Sequence, residues 1–207
     1  MKSGFIKLYA LILIILFSIL ISGCKNWEYN AVKKGIYFTK ISQSKSGTII
    51  GYMSENHEIQ GFPCEKGWIH FTDNWDLRSF QLSTEFTFNN TQLPAHTWIH
   101  FPYHESQIGY ILSLPYDYEI QGYLCGGSGG YKGTHTGFYE DGRLRSFYPP
   151  DDVTVGGVPC KSTPFVNVNL YEDGTIKSCK LAEEYQVDGR LFKKGASIEF
   201  DENGKVK

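Results

Sequence analysis

The chain has 207 residues, 41% of them hydrophobic, 15% aromatic and 20% charged, which is enough apolar material for a core and excludes a disordered chain. Its 20 Lys and Arg are balanced by 22 Asp and Glu, so it lacks the basic excess of a nucleic-acid binder and no nucleic-acid partner is expected. One folded domain suits this length.

The first element in chain order is an address. Lys2 and Lys7 flank the start of an apolar run from Leu8 to Ile21, broken only by Tyr9 and Ser18, and small residues follow it. This pattern predicts a secretory signal helix over residues 1–23. Ile21-Ser22-Gly23-Cys24 resembles the bacterial lipobox, a branched aliphatic and two small residues before a cysteine. The resemblance implies that Cys24 becomes the mature N-terminus and carries lipid, which anchors stably when more than one acyl chain is present. A single transmembrane anchor is the other reading of the same segment. Lys25 stands where an inner-membrane retention signal would have Asp, so by analogy with enterobacterial sorting the outer membrane is the expected location. Residues 24–35 read as a polar tether and 36–207 as the folded body.

The body repeats itself. Trp68-Ile69-His70-Phe71 recurs as Trp98-Ile99-His100-Phe101, and outward alignment gives anchors at Phe71, Phe101, Tyr139, Tyr171 and Phe200, at intervals of 30, 38, 32 and 29. Turn signals such as Glu140-Asp141-Gly142 and Glu172-Asp173-Gly174 follow the anchors. Gly and Asn tolerate positive φ, so these stretches predict hairpins. The returning strands read Leu77-Arg78-Ser79-Phe80, Gln107-Ile108-Gly109-Tyr110, Leu144-Arg145-Ser146-Phe147 and Ile176-Lys177-Ser178-Cys179, with an earlier half-unit ending Gly51-Tyr52. One face of the sheet thus needs a tiny residue at a fixed place, and the other carries an aromatic row.

Between hairpins lies a second motif: Ile59-Gln60-Gly61-Phe62-Pro63-Cys64, Ile120 to Cys125, Val155 to Cys160, and a degenerate Val187 to Phe192. Proline cannot donate to a central ladder, so this motif reads as the link between units. The prediction is an all-β fold: an antiparallel meander of about five stacked hairpin repeats in a single-layer twisted sheet, behind the N-terminal signal helix.

Gly137-Phe138-Tyr139-Glu140-Asp141-Gly142-Arg143-Leu144 resembles the core of MORN-type repeats in the bacterial variant found in YwqK-like antitoxin proteins, and the links are similar to those of repeat-bearing bacterial lipoproteins. The resemblance covers about Gly47 to Val206. It implies a hairpin array used for contact with other molecules and supplies no catalytic residues.

Residues that could carry chemistry have bland explanations. Cys64, Cys125 and Cys160 share one repeat position, and equivalent points on successive hairpins lie roughly 9–10 Å apart, beyond the reach of a disulfide. They read as compact buried residues, with a disulfide to Cys179 and a metal role as alternatives. His96, His100 and His104 are four apart and His70 repeats the place of His100. On strands such residues lie about 13 Å apart, too far to share an ion, so neither metal nor cofactor is expected. Gly126 to Gly133 lacks the Gly before and the Ser or Thr after Lys132 that a phosphate loop requires. No nucleophile elbow or zincin motif occurs, so the reading is not an enzyme. The expectation is a lipid-anchored envelope module that binds a protein partner through a face bearing Trp68, Trp98, Phe80, Tyr110 and Phe147. The alternatives are an immunity or antitoxin-like role and, last, a metal or enzymatic role on His100 and His104.

Overall fold

The computed structural model describes residues 26–102, 109–127, 135–163 and 166–207, and these contain strands and turns with no helix. The expected signal helix and Cys24 lie outside the described residues. β1 (Glu28–Lys33) and β2 (Ile36–Gln43) form an opening hairpin, so half of the expected tether is strand, and β3 (Ile49–Met53) pairs with β2. A four-strand rhythm follows. Its first round is β4 (His57–Ile59), β5 (Phe62–Cys64), β6 (Gly67–Phe71) and β7 (Leu77–Gln81), and its second is β8 (Phe86–Phe88), β9 (Thr91–Leu93), β10 (Trp98–His100) and β11 (Tyr110–Ser113). The third is β12 (Tyr118–Ile120), β13 (Tyr123–Cys125), β14 (His135–Phe138) and β15 (Leu144–Phe147), and the fourth β16 (Val153–Val155), β17 (Val158–Cys160), β18 (Val168–Leu170) and β19 (Ile176–Lys180). β20 (Tyr185–Val187), β21 (Arg190–Phe192) and β22 (Ser197–Glu199) make a shortened last round.

Twelve of these strands form one antiparallel sheet in the order β1-β2-β3-β6-β7-β10-β11-β14-β15-β18-β19-β22, and the other ten form five separate two-stranded ladders. Both Trp-Ile-His-Phe segments are strands of the large sheet, and they flank β7 from either side. The links between units are therefore hairpins in their own right. Each turns through two residues with positive φ: Gln60 and Gly61, Asn89 and Asn90, Gln121 and Gly122, Gly156 and Gly157, Asp188 and Gly189. Two consecutive left-handed residues give the turn whose twist matches an antiparallel pair. The Asn89-Asn90 link has no glycine and escaped the sequence pattern. Pro63 and Pro159 are tolerated because a two-stranded ladder leaves each strand a free edge.

The expectation of a single layer is corrected. Ile59, Cys64, Leu93, Ile120, Cys125, Val155 and Cys160 of the short hairpins are buried in one core with Phe38, Phe71, Phe80, Phe138 and Phe147 of the large sheet. Phe62 lies 5.0 Å from Phe80, Phe88 4.9 Å from Tyr110 and Tyr123 5.0 Å from Phe147, ring centre to ring centre. The physical reason is mutual: a lone two-stranded ladder is marginal in water, and the sheet's aromatic face needs cover. At their tips the hairpins are clasped to the sheet's own turns. Gln60 donates to the Trp75 carbonyl at 2.7 Å and accepts from Leu77 N at 2.9 Å; Gln121 does the same with Gly142 O and Leu144 N at 2.8 and 2.9 Å. Successive units are also tied by the anchors, as Tyr139 Oη donates to Leu170 O and Tyr171 Oη to Phe200 O, each at 2.7 Å.

Register corrects two alignments. Ser79, Ser146 and Ser178 face away from the core and Phe80, Phe147 and Cys179 into it, as the pattern implied. On β3 the order is reversed: Gly51 faces the core opposite Ile41 and Ile69, and Tyr52 points outward opposite Lys40 and Trp68. Gly51 is required because a Cβ there would stand 2.5 Å from the Phe38 ring. On β11 it is Leu112, and not Tyr110, that lies with Phe80 in the row through Ile99.

Candidate functional site

The hairpins cover one face of the large sheet, and no described strand covers the other. A single row of paired residues crosses this second face through eleven strands. It runs from Ser42 through Ile50, His70, Ser79, His100 and Ile111, then through Gly137, Ser146, Asn169 and Ser178 to Glu199. Small hydroxyls recur because Ser and Gly leave room between the larger neighbours on the adjoining strands. Gly137, for example, has Ser146 Oγ 2.7 Å from where its Cβ would be.

Three β-bulges place cations beside this row. His70 opposes Ser79 while Phe71 opposes Leu77, which leaves Arg78 as the extra residue. The same shift leaves Arg145 between Leu144 and Ser146, and Lys177 between Ile176 and Ser178. A bulge re-aims the side chain it carries, and here it directs the basic residue to the uncovered face. Arg78 lines a depression of about 310 Å³ with His70, Ser79, His100 and Ile111. Arg145 and Lys177 line a second, of about 290 Å³, with Tyr139, Asn169, Ser178 and Glu199. Arg145 Nε is buried and has no hydrogen-bond partner. Glu199 is neutralised by Lys207, whose Nζ is 2.7 Å away, so both depressions are cationic. The repeated Leu-Arg-Ser-Phe thus encodes core, bulge cation, small row residue, core. The doubled motif was visible in the sequence, but the bulge that separates Arg from its neighbours was not.

The histidines divide. His70 and His100 share the row on either side of Ser79, and Ser79 Oγ lies 2.8 Å from His100 Nδ1. Ser113 Oγ and His135 Nδ1 make a second such pair at 3.1 Å. The first has the spacing of a nucleophile and its base, but Ser79 is only 4% exposed. Burial, helped by His135 and His70, pushes His100 down to about 4. His96 stands apart in a turn at φ 66°, its Nδ1 2.7 Å from Glu65 Oε2. His104 lies outside the described residues. No group of three or more His, Cys, Asp or Glu among the described residues is disposed to hold a metal ion.

The expected aromatic binding face is not one surface. Phe80, Tyr110 and Phe147 are buried beneath the hairpins. Trp98 is on the other face but buried, its ring stacked on His100 at 5.9 Å. Of the five only Trp68, at 39%, is exposed. The cysteines are also resolved. Cys160 and Cys179 form a disulfide across 5.7 Å between Cα atoms, joining a hairpin to the sheet strand beneath it. Cys64 and Cys125 are free and buried, and burial pushes both thiols up to about 12. The equivalent cysteines do not bridge. The bond forms because the residue under the link, Phe80 and Phe147 in earlier units, is Cys179 here.

No family model, curated protein or solved structure matches this chain.

Proposed function

We propose that the protein is a lipid-anchored, extracytoplasmic and non-catalytic binding module of the cell envelope, which holds a partner bearing acidic groups against the uncovered face of its sheet. The observation that carries this is the set of bulge cations: Arg78, Arg145 and Lys177 project from equivalent places, and Arg145 keeps a buried Nε without a partner. An unpaired buried donor is costly until something accepts from it, so a ligand carboxylate or phosphate gains more there than at an exposed lysine. The lipobox at Cys24 supports the anchor, and the hairpin array supports contact in place of chemistry.

The test is a pull-down from envelope extracts with the wild-type chain and with the triple variant R78Q/R145Q/K177Q. A partner retained by the wild type at low salt, released as salt rises and lost from the triple variant is the expected result. Equal retention by both chains would overturn the acidic-partner reading.

A further inference from the structure

Five of the eight large hydrophobic side chains exposed among the described residues belong to the first four sheet strands: Tyr29, Val32, Tyr37, Tyr52 and Trp68. This concentrates apolar exposure at one end of the molecule. Three of them are in register, since Tyr29 pairs with Lys40, Lys40 with Tyr52, and Tyr52 with Trp68, as one row on the uncovered face. Trp27 closes the row, its ring 5.9 Å from Trp68, and Tyr52 meets Trp68 edge-on at 5.3 Å. Lys40 Nζ sits over the rings, 4.7 Å from Trp68 and 5.5 Å from Trp27. The row is therefore a small aromatic surface with one ammonium at its centre.

Resting on the lipid-anchor reading, we infer that this row, Trp27, Tyr29, Lys40, Tyr52 and Trp68, is a membrane-interface seat that docks the N-terminal end of the sheet on the bilayer carrying the lipid of Cys24. The tether length selects the occupant. Two residues, Lys25 and Asn26, separate Trp27 from Cys24, and an extended chain over those three steps reaches at most about 10 Å. An acylated Cys24 lies at headgroup depth, which holds Trp27 and the row beside it in the same zone. Trp and Tyr favour that zone because an apolar ring and a polar tip are both satisfied there. Lys40 buries its stem among the rings and extends its ammonium to lipid phosphate. Successive strands rotate by about 20–25°, so five steps along the sheet from β6 to β15 turn the same face through roughly a right angle. The seat can then meet lipid while Arg145 and Lys177 face the aqueous side.

The experiment uses the full chain, expressed in bacteria, purified in detergent and reconstituted in phosphatidylethanolamine/phosphatidylglycerol vesicles with and without tail-brominated lipid. Mass spectrometry of the Cys24 peptide reports acylation separately. The expected result is an acylated Cys24, loss of roughly half the tryptophan emission in brominated vesicles, and disappearance of that loss in W27F/W68F, which leaves the buried Trp98 and the core-packed Trp75 as internal references. Acylation without quenching overturns the seat and leaves the anchor standing. Quenching that depends on Trp27 and Trp68 without acylation supports the seat and overturns the anchor. Neither acylation nor quenching overturns both.

Discussion

The two faces of the large sheet are built from the same strands, residue by alternate residue, yet they obey different rules. On the covered face the side chains are Phe, Ile, Leu, Val and Cys packed under five hairpins, and volume decides what fits. On the other face Ser, His, Asn and bulge cations sit side by side, and hydrogen bonds and charge decide. The contrast teaches that one sheet can carry two chemistries across its thickness: a packed apolar core on one side, and on the other the polar and cationic surface to which we assign contact with a partner.

Several substitutions break or sharpen that division. The largest effect belongs to the disulfide. Replacing Cys160 and Cys179 together with Ala opens a loop of 19 residues and should lower unfolding free energy by about 3 kcal/mol in a denaturant titration. C64A alone, which removes a single small side chain, should cost distinctly less. Gly51→Ala follows. Its methyl would collide with the fully buried Phe38, and overpacking of this kind costs about 2 kcal/mol, read as a lower denaturation midpoint at unchanged slope.

The pH dependence comes from the other face. His100 ionises near pH 4 when folded and near 6.5 when unfolded. Between those values the unfolded chain binds the extra proton, so stability from this group is full above pH 6.5, declines as pH falls toward 4 and then levels off. After discounting for partial solvent access the loss is between about 1 and 2 kcal/mol, and His100→Asn should flatten that stretch of the stability–pH curve. Gln121→Ala removes the clasp between hairpin tip and turn. It should cost about 1 kcal/mol and speed amide exchange at Leu144, whose N–H it frees. The last change is the most telling: R145Q/K177Q removes the unpaired Arg145 Nε and so should not lower stability, while weakening retention of the proposed acidic partner.

Much of this architecture was legible in the residues. The Trp-Ile-His-Phe repeat, the closing aromatic anchors and the Asp-Gly turns are local signals, and each marks a feature of the meander. The alternation of Ser79 with Phe80, and of Ser146 with Phe147, assigned the two faces correctly because side-chain direction in a strand has period two. The rule slipped on β3 and β11, which carry no bulge residue of their own. Tyr52 was aligned with Phe80 although β3 has no bulge beside Gly51, and Tyr110 was aligned with Phe80 although Leu112 holds that register. The site was less legible. Arg78, Arg145 and Lys177 look like ordinary strand residues until pairing shows that each is the extra residue opposite its neighbour.

By itself the amino-acid order determined the period of the chain, the places where it turns and which residues alternate, because those follow from backbone preference and strand geometry within a few positions. Only the tertiary structure decided that the links fold back as a second layer, that Phe80, Tyr110 and Phe147 are core and not a binding surface, and that Cys160 meets Cys179. Each of these depends on which distant segment lies above a given strand, and burial is a property of that neighbour as much as of the residue itself.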